Sequence, residues 1–141
     1  NDIPVEYVTQ ETRYALGETE LTIYPPLGTD PDVDNDQGLT MLATCRAFDL
    51  LVTGDMSAKT EQTLISTYAL PDIEALVVGH HGSKSSTSEA LLDTLHPEVA
   101  AISVGSNSYG HPTPQTLHRL TKAGVAVYRT DRQGTIHLSV N

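Results

Sequence analysis

Three apolar, partly β-branched runs each end in a glycine closely followed by a side chain capable of chemistry. Phe48–Thr53 leads into Gly54-Asp55, Leu76–Val78 into Gly79-His80-His81-Gly82, and Val99–Val104 into Gly105 and soon His111. Runs of this length bounded by glycine read as buried strands, and the helix-forming stretches between them make the pattern alternating β/α. Open α/β sheets collect ligands and reactive groups at the carboxyl ends of their strands. The pattern therefore predicts one sheet edge carrying Asp55, His80, His81 and His111.

The 141 residues suit one domain, with a β-rich opening segment over 1–47 and an alternating β/α half over 48–141. Strands are expected over Val5–Val8, Arg13–Leu16 and Glu20–Tyr24, with Gly17 as the reversal. The following loop carries Asp30, Asp32, Asp34 and Asp36. It has Asn35 where a calcium loop needs glycine and Met41 where it needs glutamate, so it reads as a solvated acidic loop. Gly38–Cys45 and Phe48–Thr53 read as an antiparallel pair turned at Arg46-Ala47. Ser57 is placed to cap a helix reaching Tyr68, with Leu64, Ile65 and Tyr68 on one face. A strand over Ala75–Gly79 follows. Ser86 and Glu89 have capping-box spacing before a helix that His96-Pro97 stops. After a strand over Val99–Val104, Thr113-Pro114 opens a helix that Gly124 closes. Val125–Arg129 and Thr135–Val140 complete the expected strands, turned by Asp131–Gly134.

Eighteen acids against eight Lys and Arg give a net charge of −10. A protein that grips nucleic acid through phosphate contacts carries a basic face, and none is visible. A phosphate-bearing substrate would need bound metal ions to offset the repulsion. No apolar stretch approaches 18 residues, so no membrane span is expected. Asn1-Asp2-Ile3-Pro4 is neither basic nor followed by an apolar segment, so no signal peptide is expected, although a membrane-anchored or extracellular parent stays open. Cys45 stands alone, which excludes an intrachain disulfide and reads as a small buried thiol.

Asp55 could close a turn or bridge two divalent cations. His80 and His81, adjacent on an extended chain, would point opposite ways, so one would bind an ion and the other would orient a ligand or donate a proton. Gly82 would let the backbone approach a ligand. The amides of Ser83 to Ser88 form either a polar loop or an anion cradle ahead of a helix. His111 emerges at the same edge, whereas His96, His118 and His137 read as structural or exposed.

Val52-Thr53-Gly54-Asp55, Val78-Gly79-His80-His81-Gly82-Ser83-Lys84, Ile102-Ser103-Val104-Gly105, Tyr109-Gly110-His111-Pro112 and Val127-Tyr128-Arg129-Thr130-Asp131 fall in order at matching spacing. Together they resemble the metallo-β-lactamase-fold domain of ComEC-type competence (DNA-uptake) proteins and their soluble relatives, closely over 48–140 and loosely over 5–47. The resemblance implies an α/β fold of mixed α+β character: the C-terminal half of an αββα sandwich, a mixed sheet with flanking helices. It implies two divalent ions, zinc or manganese, in a complete domain, with Asp55 as bridging carboxylate and His80 or His81 as the late histidine ligand. It also implies metal-dependent phosphodiester hydrolysis, a nuclease acting on DNA, with His81, His111 and Tyr109 in catalysis and Ser83, Lys84 and His111 near the phosphate.

The sequence departs from that family in two respects. Asn35 is followed three residues later by Gly38 where the family usually has serine, and the family's His-x-His-x-Asp-His motif is nowhere in the chain. The chain by itself is therefore expected to turn over little or no substrate. Its sheet is expected to lack one covering layer, to be supplied by an N-terminal half or by a second copy, swapped or docked. A monodisperse monomer in light scattering at micromolar concentration would contradict that expectation. A non-catalytic interaction module and a hydrolase of small phosphoesters such as phosphorylcholine are the alternatives.

Overall fold

In the computed structural model, which describes residues 3–140, seven strands form a single sheet in the order of the chain, β1 to β7. Asn1 and Asp2, on which part of the N-terminal reading rests, lie outside those residues. Strands β1 (Thr12–Leu16), β2 (Thr19–Tyr24), β3 (Thr40–Cys45) and β4 (Phe48–Val52) are joined antiparallel. From β4 the pairing turns parallel through β5 (Ala75–Val77), β6 (Val99–Ile102) and β7 (Ala126–Arg129). Parallel neighbours need long crossovers, and helices supply them: α1 (Ala58–Thr67), α2 (Glu89–Leu95) and α3 (Pro114–Lys122). A last helical turn, α4 (Thr130–Gln133), follows β7 directly. Among the described residues no helix is long and apolar enough to cross a membrane.

The three longer helices seal one face of the sheet. Leu51, Leu76, Ala100 and Ile102 from the strands meet Leu64 of α1, Leu91 and Leu95 of α2 and Leu120 of α3, all fully buried. Each large side chain so enclosed contributes roughly 1.5–3 kcal/mol. The caps are local. Ser57 accepts a hydrogen bond from the Thr60 amide, and Thr113 one from the Thr116 amide ahead of Pro114.

The opposite face remains bare. Cross-strand partners share a face, so Leu21, Ala43 and Leu50 lie together, as do Ile23, Met41 and Val52. Val77 continues the second row. All of these side chains stay partly exposed, and they form an apolar surface with no helix packed on it among the described residues. Cys45, expected inside, is half-buried on this face.

Several local expectations are corrected. Residues 5–8 form no strand; they run beside Pro25, Pro26 and Leu39, past the end of β2, and Val5, Glu6 and Tyr7 are exposed. Residues 135–140 form no strand either. The Thr130 hydroxyl bonds the carbonyls of Ile102 and Val104, which winds the chain into α4 where an open turn was expected, and Gly134 at φ 73° then leads it away from β7. The cap of α2 is Ser88, bonded from the Leu91 amide, rather than Ser86, whose hydroxyl donates to the Met56 carbonyl. Strands β5 and β6 stop at Val77 and Ile102, short of Gly79 and Val104. The acidic loop is solvated at Asp30, Asp32 and Asp34 but not at Asp36. That carboxylate accepts the Ser57 amide at 2.7 Å and its hydroxyl at 3.0 Å, pinning the loop to the start of α1.

Candidate functional site

The carboxyl ends of β4, β5 and β6 are fastened to one another by backbone bonds. After β4 the Gly54 carbonyl accepts the His80 amide at 3.1 Å, and after β5 the Gly82 carbonyl accepts the Thr113 amide at 2.9 Å. Between these ties His80 and His81 both take left-handed backbone angles, φ 47° and 53°. They are therefore not on an extended chain, and the expected opposite orientation does not hold: the tight turn brings their rings to 6.4 Å at 70°. Left-handed angles cost a non-glycine residue about 1–2 kcal/mol each. Three contacts hold the turn despite that cost. The Ser83 amide bonds the His80 carbonyl, the Gly79 amide bonds the Thr87 hydroxyl, and His81 Nδ1 lies 2.7 Å from the Ser103 carbonyl.

The His81 contact fixes a tautomer. A carbonyl oxygen can only accept, so Nδ1 carries the hydrogen and Nε2 is left with its lone pair. A histidine prepared in this way can accept a proton or bind a metal through Nε2.

His111 completes the cluster, its ring 5.6 Å from that of His80 and nearly perpendicular to it, with the Tyr109 ring 6.0 Å away. Desolvation, followed by the nearby positive charges of His80 and His81, holds the His111 pKa below its ordinary 6.5, while Asp55 pulls the other way. Asp55, just beyond β4, is near enough to His111 to act on it electrostatically. In chelator-treated protein the His111 ring should therefore titrate below the normal histidine range by NMR. It should move lower in Asp55→Asn and higher in His80→Ala; an unmoved value in both variants would contradict the arrangement.

Two expected roles find no support in this geometry. Gly82, expected to admit a ligand, admits Pro112 instead: a Cβ built on it would lie 2.5 Å from the Pro112 Cβ. The amides of Ser83, Ser85, Ser86, Thr87 and Ser88 already have acceptors, Ser83 bonding the His80 carbonyl. Thr87 and Ser88 donate to the two oxygens of Glu61 at 2.5 and 2.8 Å, Ser86 to the Ser83 carbonyl and Ser85 to the Ser83 hydroxyl. The anion received there is the chain's own glutamate. Ser83 is buried, while Lys84 stays exposed.

Glu61 is fully buried, and Arg119 reaches the same loop from α3, donating to the carbonyls of Thr87 and Ser86 at 2.9 and 2.8 Å. Neither residue stands out in the sequence, where a glutamate and an arginine on amphipathic helices look like solvent-facing charges.

A divalent site of the class implied by the resemblance needs at least three convergent His, Cys, Asp or Glu donors. Among the described residues no three such side chains converge on one point. The donor set of this chain alone therefore does not fit a closed metal centre.

No protein-family model matches the chain. It is 31% identical over 135 residues to ComE operon protein 3 of Bacillus subtilis, covering 95% of this chain and 17% of that protein. It is 35% identical over 109 residues to competence protein ComA of Neisseria gonorrhoeae, covering 76% and 16%. To recombination protein 2 of Haemophilus influenzae it is 39% identical over 107 residues, covering 75% and 13%. These competence proteins are homologues of the chain. It spans about a sixth of their length. Two solved structures share the fold of this chain at low identity. A point variant of CmlA β-hydroxylase gives a TM-score of 0.55 at 14% identity, covering 85% of this chain and 31% of that one. The diiron β-hydroxylase CmlA from Streptomyces venezuelae gives 0.51 at 12%, covering 84% and 32%. The fold of the chain is that of the metallo-β-lactamases.

Proposed function

We propose that this chain forms one wall of a metal-dependent phosphodiesterase, a nuclease acting on DNA in competence. The observation that carries the proposal is the fastening of three strand ends, which gathers Asp55, His80, His81 and His111 at one edge. The bare sheet face is the seat for the remainder of the domain, whose donors, with Asp55 and a histidine of the turn, would hold zinc or manganese. Bound metal would supply an electrophile for phosphate oxygens and offset the charge of −10.

The chain's own residues act on the phosphate directly. His111, kept neutral near pH 7, donates a hydrogen bond to a phosphate oxygen without attracting further anions. His81 Nε2 takes up a proton, and Tyr109 offers its phenol to the departing side. One domain thereby combines a preset proton acceptor with an uncharged donor.

The test is hydrolysis of linear DNA and of bis(4-nitrophenyl) phosphate by the chain embedded in its complete domain, with metal content measured in parallel. Asp55→Ala should lower turnover about a hundredfold or more and reduce bound metal, while turnover and metal unchanged in that variant would refute the reading. The absence of a closed donor set among the described residues favours a second reading, a non-catalytic interaction module. That reading is supported if the complete domain binds no metal.

A further inference from the structure

Beside the histidine cluster, a cavity of about 440 Å³ opens between the end of β6 and the loop that carries His111. His81, Val104, Asn107, Tyr109, His111 and Thr130 line it. This volume lies within the range of roughly 300–1,000 Å³ typical of small-molecule sites.

Much of the polar capacity in this lining is already used. Asn107 Oδ1 accepts the amides of Tyr109 and His111 at 3.1 Å each, and its Nδ2 donates to the carbonyls of Gly105 and His111 at 3.0 and 2.8 Å. These bonds exhaust its two donors and both lone pairs. The Thr130 hydroxyl accepts the Val104 amide at 2.8 Å and donates to the Val104 carbonyl at 2.7 Å. His81 has committed Nδ1 to Ser103. The rest of the lining presents the Val104 side chain, the Ser103 hydroxyl and the ring of Tyr109, which is 81% exposed.

Such a wall holds a flat, apolar-faced group chiefly by stacking on Tyr109. No carboxylate lines the cavity, which disfavours a quaternary ammonium such as choline. Because His81 and His111 border both the cavity and the cluster, a group seated here lies next to a phosphate held at those histidines. Resting on the phosphodiesterase reading, we propose that the cavity seats one nucleobase of the substrate, stacked on Tyr109 and accepted whatever its identity. Cleavage is then tolerant of sequence because stacking, which every base offers, supplies most of the contact.

The experiment follows backbone amide shifts at Val104, Gly105 and Tyr109 by NMR while the chain is titrated with thymidine 5′-monophosphate, adenosine 5′-monophosphate, deoxyribose 5-phosphate and phosphocholine. Both nucleotides should bind within about threefold of each other, and deoxyribose 5-phosphate about tenfold more weakly, in keeping with the worth of one stacked base. Tyr109→Ala should abolish the tenfold preference and Tyr109→Phe should keep it; the exposure of Tyr109 makes both variants tolerable to the fold. Equal binding of the sugar phosphate, tighter binding of phosphocholine, no binding of nucleotide, or an unchanged preference in Tyr109→Ala would each overturn the proposal. The two readings fail separately. Nucleotide binding without hydrolysis in the complete domain removes the phosphodiesterase and leaves the base cavity, whereas hydrolysis without base preference does the reverse.

Discussion

Alanine in place of Gly82 is expected to lower stability by about 2–4 kcal/mol, a fall in Tm on the order of 10 °C for a chain of this size. Two costs add. Gly82 sits at φ +83°, where a Cβ is strained, and that Cβ would lie 2.5 Å from the Pro112 Cβ and 2.9 Å from its Cα. Backbone cannot yield as a flexible side chain can, so the loop bearing His111 must shift, loosening the Thr113 amide from the Gly82 carbonyl. Gly105→Ala is the control: nothing lies within 4 Å of where its methyl would stand and its φ is unexceptional, so it should change stability by less than about 1 kcal/mol. Thermal unfolding followed by circular dichroism compares the two. Equal melting temperatures would show that the close approach to Pro112 is not what fixes the turn.

Glu61→Ala should cost about 3 kcal/mol or more, because it strands the amides of Thr87 and Ser88. The cost should depend on pH in a definite direction. Burial raises the Glu61 carboxyl above its ordinary value, outweighing the bonds from Ser88 and Thr87 and the charge of Arg119. The folded chain therefore holds this proton more tightly than the unfolded chain. Glu61's contribution is complete below about pH 4.3 and shrinks as pH rises through the raised folded value. Denaturant unfolding of both proteins at pH 4 and pH 8 should show the gap narrowing at the higher pH, and a gap that widens would reverse the assignment. With the loop released, the Thr87 hydroxyl no longer steadies the Gly79 amide, and the histidine turn should loosen as well.

The strand ends are legible in the sequence because their signal is local: apolar runs closed by glycine, with Asp55, His80, His81 and His111 just beyond. The caps at Ser57 and Thr113 are legible for the same reason. Ser86 reads as a cap because Glu89 stands three residues on, in capping-box spacing, and only the folded loop, which turns the Ser86 hydroxyl to the Met56 carbonyl, selects Ser88. The left-handed turn at His80 and His81 cannot be read, since histidine has no intrinsic need for those angles. Contacts with Ser103, Thr87 and Gly54, distant in sequence, impose them. Glu61 and Arg119 are hidden for a similar reason: charged side chains on helices are exposed unless a neighbouring loop happens to require them.

The strict agreement between strand order and chain order bears on assembly. Among the described residues each strand after β1 hydrogen-bonds to the one made just before it, so none of these pairings waits for a strand made later. Every pairing closes either a hairpin or a single helical crossover, which keeps the entropy of loop closure small at each step. The sheet can grow one strand at a time from the hairpin of β1 and β2, and the edge bearing the histidines is set in place by the last crossovers, once the platform beneath it is complete.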